Sequence, residues 1–154
     1  METWRTAHLK QARSDLAVFD AISNQPICQQ LHYIQMATEK VAKAYLSAGD
    51  ERPPQIHDVI VRFLRACRGN SFLQNACRMR REKFRAYVKS LLTTGEQIED
   101  LVPAKNVDKP NPEYPWQEND KVIAPVDYPF VRLQLTQTKM ARLIEFVRIC
   151  VAIS

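Results

Sequence analysis

Apolar side chains recur along this chain at intervals of three and four residues, the period of a helix with one buried face. Trp4, Ala12, Leu16, Phe19 and Ile22 share such a face and predict a helix over about 4–22, ended by Ser23-Asn24-Gln25-Pro26. Ile27, Leu31, Ile34, Val41, Ala42 and Tyr45 predict a second helix reaching about Ala48, with Pro26 suited to its first position. A third helix starts near His57 and carries Ile60, Phe63, Leu64 and Cys67. Gly69-Asn70-Ser71 breaks the pattern, and Ser71 is a good N-cap for a fourth helix running to about Leu92. On that helix Phe72, Leu73, Ala76, Phe84, Tyr87, Val88 and Leu91 project to one side. A last helix, from near Val131 to the C-terminus, turns Leu135, Leu143, Ile144, Val147, Cys150 and Val151 inward.

Glycine and proline punctuate this pattern. Gly49, Gly69 and Gly95 each follow a helical stretch, where a left-handed C-cap is expected. Six of the nine prolines lie between Pro103 and Pro129, which marks that stretch as non-helical. A structureless connection of that length is unusual inside a compact domain, so it is expected to be functional, partly ordered or disordered. Within it Lys121-Val122-Ile123-Ala124 can form a short strand, and Tyr114, Trp116, Tyr128 and Phe130 offer aromatic surface to pin the segment down. The fold class that follows is all-α. The expected architecture is one domain over 1–154, an antiparallel up-and-down bundle of four to five helices, with an irregular insertion at about 95–130 before the last helix.

At 154 residues one hydrophobic core suffices without staples. No apolar run approaches the ~20 residues that span a bilayer, and Met1-Glu2-Thr3-Trp4-Arg5 lacks the apolar stretch of a signal peptide. The expectation is a cytoplasmic protein without membrane partners. Cys28, Cys67, Cys77 and Cys150 form no Cys-x-x-Cys pair and read as reduced core residues. Three scattered glycines cannot build a phosphate-cradling loop, and three histidines in three segments make no metal cluster, so neither a cofactor nor a metal is expected.

Charge is segregated along the chain. Residues 57–92 carry nine Arg or Lys against two Asp or Glu, and residues 93–130 carry three against eight. Arg78, Arg81, Arg85 and Lys89 follow one another at spacings of three, four and four and predict a basic helical stripe. Such a stripe is a solvated face, a phosphate or nucleic-acid patch, or a counter-surface over which the acidic segment folds. No aromatic interleaves with it, so base stacking is not indicated there. Arg80 projects into the middle of the apolar side of the same helix. A buried guanidinium needs a carboxylate, for which Glu39 is the leading candidate, unless it serves as a phosphate ligand.

The stretch Gln35-Met36-Ala37-Thr38-Glu39-Lys40-Val41-Ala42-Lys43-Ala44-Tyr45-Leu46 resembles the second helix of HEPN (higher eukaryote and prokaryote nucleotide-binding) domains. Gly49, Pro53-Pro54 and His57-Asp58 follow at that family's spacing. Ala12-Arg13-Ser14-Asp15-Leu16 resembles its first helix, and Tyr128-Pro129 a dipeptide before its last. The resemblance covers residues 7–67 and, more weakly, 125–151. It implies an up-and-down bundle that is a homodimer. In that family some members are metal-independent ribonucleases of toxin–antitoxin systems, and others bind nucleotides or partner a small nucleotidyltransferase.

The ribonuclease members use an Arg and a His four to six residues apart. Arg52 and His57 fit that spacing, the His to move protons at a 2′-hydroxyl and the Arg to hold the phosphate. Pro53-Pro54 between them imposes an extended path, and His57 also suits a structural or ligand-lining place at the start of the third helix. His32, Gln35, Glu39 and Lys43 line one edge of the second helix, either as a solvated, internally bonded edge or, with Asp58, as the polar wall of a ligand cleft. Three functions are compatible with these residues. The first is a non-catalytic HEPN-like module that binds a nucleotide, RNA or a protein partner. The second is a metal-independent ribonuclease using Arg52 and His57. The third is an interaction module acting through the acidic loop 95–130.

Overall fold

The computed structural model describes residues 2–47, 51–53, 55–102 and 108–153. Six α-helices are found among them: α1 (Trp4–Ala21), α2 (Ile27–Leu46), α3 (Val59–Cys67), α4 (Ser71–Ala76), α5 (Arg81–Glu99) and α6 (Thr138–Ala152). A two-stranded antiparallel hairpin, β1 (Trp116–Glu118) and β2 (Lys121–Ile123), precedes α6. Gly49, Pro54 and the start of the proline-rich stretch at 103–107 lie outside the described residues. The all-α class holds, with six helices rather than four to five.

Local chemistry sets the helix ends. Thr3 caps α1 in a capping box with Thr6, each hydroxyl accepting the other's backbone N–H. Pro26 stands one residue ahead of α2, as its N-cap. Asn70, not Ser71, caps α4, its Oδ1 accepting the Leu73 N–H at 3.0 Å. The helix predicted over 71–92 is broken. Arg78 takes a left-handed backbone (φ 53°), and Gln74 fastens the turn by donating to the Met79 carbonyl. This break re-phases everything after it. Arg80 becomes the exposed N-cap of α5 instead of a core guanidinium, and Phe72 is 58% exposed.

α5 also runs seven residues past the predicted end at Leu92, to Glu99, straight through Gly95. Gly95 is not a C-cap. A Cβ there would meet Leu64 Cδ1 of α3 at 2.6 Å, so glycine permits α3 and α5 to approach. The last helix starts at Thr138, and the predicted turns near Val131 form a 3-10 turn over Val131–Leu133.

The core is one cluster. α1 packs chiefly on α2, α3 lies between α2 and α5, and α6 crosses α5, α2 and α1. Phe63, Phe84 and Phe146 are its largest fully buried side chains. The C-terminal carbonyls of α6 are satisfied from the other helices: Arg13 Nη2 donates to the Val151 carbonyl at 3.0 Å and Tyr45 Oη to that of Cys150 at 2.9 Å. Lys40 of α2 reaches Asp15 of α1, buried at 6% exposure, with Nζ 2.6 Å from Oδ2.

The segment 108–130 is not a detached insertion. Trp116 and Phe130 are buried, and Tyr128 stacks edgewise on both. Tyr114 is 61% exposed. The hairpin turns on Asn119 and Asp120, both left-handed (φ 49° and 64°), the backbone of a two-residue I′ turn. All four cysteines are free thiols, Cys77 half-buried and the rest buried. Burial pushes each thiol up, so none is an activated nucleophile. No helix among the described residues is long and apolar enough to cross a membrane.

Candidate functional site

Along the polar edge of α2, Gln35, Glu39 and Lys43 bond one another. Gln35 Nε2 donates to Glu39 Oε2 at 3.0 Å, and Lys43 Nζ pairs with Glu39 Oε1. Glu39 is therefore engaged by its own helix, and Arg80 is not its partner. His32 Nδ1 lies 3.0 Å from Oε1 of Glu113 and ties α2 to the 108–130 segment. Asp58 pairs with Arg62 one turn on, at 2.8 Å.

Three of the predicted residues do converge. Gln35, Glu39 and His57 line a small cavity of ≈ 60 Å³ with Ile56, Val59, Ile60, Glu99 and Val102. That volume admits a few waters and not a nucleotide. Its floor is Glu99, 4% exposed, whose Oε1 accepts the Ile60 N–H at 2.6 Å. A carboxylate there caps the start of α3 and meets the positive end of that helix. Glu99→Ala should lower stability by about 2 kcal/mol, the scale of a buried hydrogen bond to a charged group. A urea titration read by far-ultraviolet circular dichroism checks this, and an unchanged midpoint contradicts it. Glu99 escaped the sequence reading because the helix was ended before it. The signal was present in the spacing from Leu91 to Ile98, which continues the buried side.

Arg52 is placed elsewhere, with its guanidinium 5.6 Å from the centre of the Trp4 ring. His57 faces a cavity with two carboxylates on its wall, Glu39 and Glu99.

The basic face has a different character. Arg81, Arg85 and Lys89 are exposed on α5, one turn apart, while Arg78 sits in the preceding turn rather than on their helix. Ile60 meets Glu99 and Leu64 meets Gly95, so α3 runs antiparallel to α5. This register sets exposed Arg65 and Arg68, at and just past the end of α3, opposite the middle and C-terminal part of α5, beyond Lys89. None of these five cations is in an ion pair among the described residues. Glu113 and the turn at Pro125–Asp127 dock instead on α2, and residues 109, 110 and 133 border a hollow at the far end of α5. The acidic segment is thus not the cover of the basic stripe in any described contact.

The fold and these sites define an all-α bundle with a small polar notch and an open basic face. Compared with protein-family models, curated proteins and solved structures, the chain matches none.

Proposed function

We propose that this protein is a non-catalytic HEPN-like module that binds RNA through the exposed cations of α5, with Arg65 and Arg68 at the end of the neighbouring α3. One observation carries the reading. Arg65, Arg68, Arg81, Arg85 and Lys89 stand exposed on or at the end of adjacent helices without acidic partners among the described residues, although the same chain supplies eight acidic residues over 93–130. A row of unpaired cations one helical turn apart matches a polyanionic backbone and reads no base sequence. The homodimer that the resemblance implies would double this row.

The ribonuclease reading is disfavoured by chemistry. A phosphate at His57 would face Glu39 and Glu99, and Arg52 has an aromatic partner of its own. A nucleotide as the ligand of the α2 edge is disfavoured because the notch there is small and acidic.

The test is fluorescence anisotropy of a labelled single-stranded RNA with wild type and with the triple variant Arg81→Gln, Arg85→Gln, Lys89→Gln. Three lost phosphate contacts should weaken binding roughly 100-fold at ~0.1 M salt and flatten the log–log salt slope by about 2. Equal affinities and slopes would refute the assignment of this face.

A further inference from the structure

On the α6 side of α5 a second cleft opens, ≈ 310 Å³ in volume, between α5 and residues 131–140. Thr93, Thr94 and Gln97 of α5 form one wall, and Arg132, Gln137 and Lys139 the other. Its charged lining residues are both cations, and neither Arg132 nor Lys139 is in an ion pair among the described residues. The 15-residue helix α6 begins at its rim. The N-cap residue Gln137 does not cap, since its side chain donates to the Val131 carbonyl at 2.9 Å, and the first turn holds no acidic residue. The opening N–H groups of α6 therefore have no side-chain acceptor, and the positive end of the helix dipole adds to the two cations.

A second, independent feature points to a ligand. Thr94 is 2% exposed, and its hydroxyl has no hydrogen-bond partner among the described residues. A helical threonine ordinarily bonds the carbonyl one turn back, and buried hydroxyls are almost always satisfied. Thr94 itself lines the cleft. Asp100 and Lys109 lie in an adjoining hollow that shares Gln97 and Arg132, so a carboxylate stands near one end of the cleft but does not line it.

We infer that this cleft binds the phosphate of a small phosphomonoester, held by Arg132, Lys139 and the first turn of α6. The volume leaves room beyond the phosphate for an attached polar group. The inference does not rest on the RNA reading, because it uses other residues on another side of α5.

The experiment titrates ¹⁵N-labelled protein with inorganic phosphate and with ribose 5-phosphate, against sodium chloride at matched ionic strength. Saturable amide shifts are expected at Thr94, Gln97 and residues 138–140, at lower concentration for ribose 5-phosphate. The double variant Arg132→Ala, Lys139→Ala should weaken binding at least tenfold, with its circular dichroism and Tm in chloride unchanged. Thr94→Val should weaken binding several-fold without lowering Tm, because the hydroxyl it removes has no partner among the described residues. Three results would overturn the inference: shifts that rise linearly and equally in the double variant, shifts confined to residues around Arg81 and Arg85, or ribose 5-phosphate binding no tighter than phosphate.

Discussion

Lys40→Met is expected to destabilise the protein by about 3–5 kcal/mol, the scale for leaving one member of a buried ion pair unpartnered. Asp15 is 6% exposed, and besides Lys40 its partner is Gln11, whose Nε2 donates to Oδ1 at 3.1 Å. Removing the ammonium strands a carboxylate between α1 and α2, the most extensive helix pairing in the molecule. The pair is not thereby a large net source of stability, since desolvating both charges costs most of what their attraction returns. Asp15→Leu combined with Lys40→Met should therefore recover most of the loss. Urea denaturation of wild type, single and double variants measures this as a midpoint shift at constant slope. A single variant as stable as wild type would show that water reaches Asp15. Asp15 and Lys40 belong to the two stretches that carry the resemblance to HEPN domains, so the experiment tests the joint between them.

Phe146→Ala is expected to cost a similar 3–5 kcal/mol, through lost burial and the cavity left behind. The Phe146 ring is fully buried, with ring centroids of Phe63, Phe84 and Tyr87 at 6.1, 6.5 and 5.9 Å. These three come from α3 and α5, so one side chain of α6 joins both. Burial, with help from Glu145 and Cys77 nearby, pushes the Tyr87 hydroxyl up to about 12, and it donates to the Arg142 carbonyl at 3.0 Å. Phe146→Leu keeps most of the volume and should lose clearly less. Thermal unfolding followed at 222 nm ranks the two variants, and equal losses would contradict the cavity account.

The helices were legible in the sequence wherever an uninterrupted apolar period met an ordinary stop signal. α1, α2 and α3 were of this kind, and so was the strand at Lys121–Ile123. The misplacements have separate causes. Arg80 projects inward only on a helix continuous from 71. The break at Arg78 depends on a left-handed arginine, which composition does not announce. Gly95 looks like a stop because glycine usually ends helices, whereas here the missing Cβ is what lets Leu64 of α3 approach. Ending α5 early hid Glu99, the cap of α3. Of the predicted basic stripe, Arg81, Arg85 and Lys89 keep their common helix because they lie beyond the break, and Arg78 falls outside it. The cleft beside α6 was not legible, since Thr94, Arg132 and Lys139 are distant in sequence and share no motif.

The central claim is that this protein binds RNA without cutting it. It is tested most directly by incubating purified protein with a mixed RNA pool in EDTA, then measuring retention on a filter and RNA length on a gel. The account predicts salt-sensitive retention of full-length RNA, with His57→Ala indistinguishable from wild type and the triple variant of α5 retaining little. Shortened RNA with wild type and intact RNA with His57→Ala would contradict it and make Arg52 and His57 the centre of a ribonuclease.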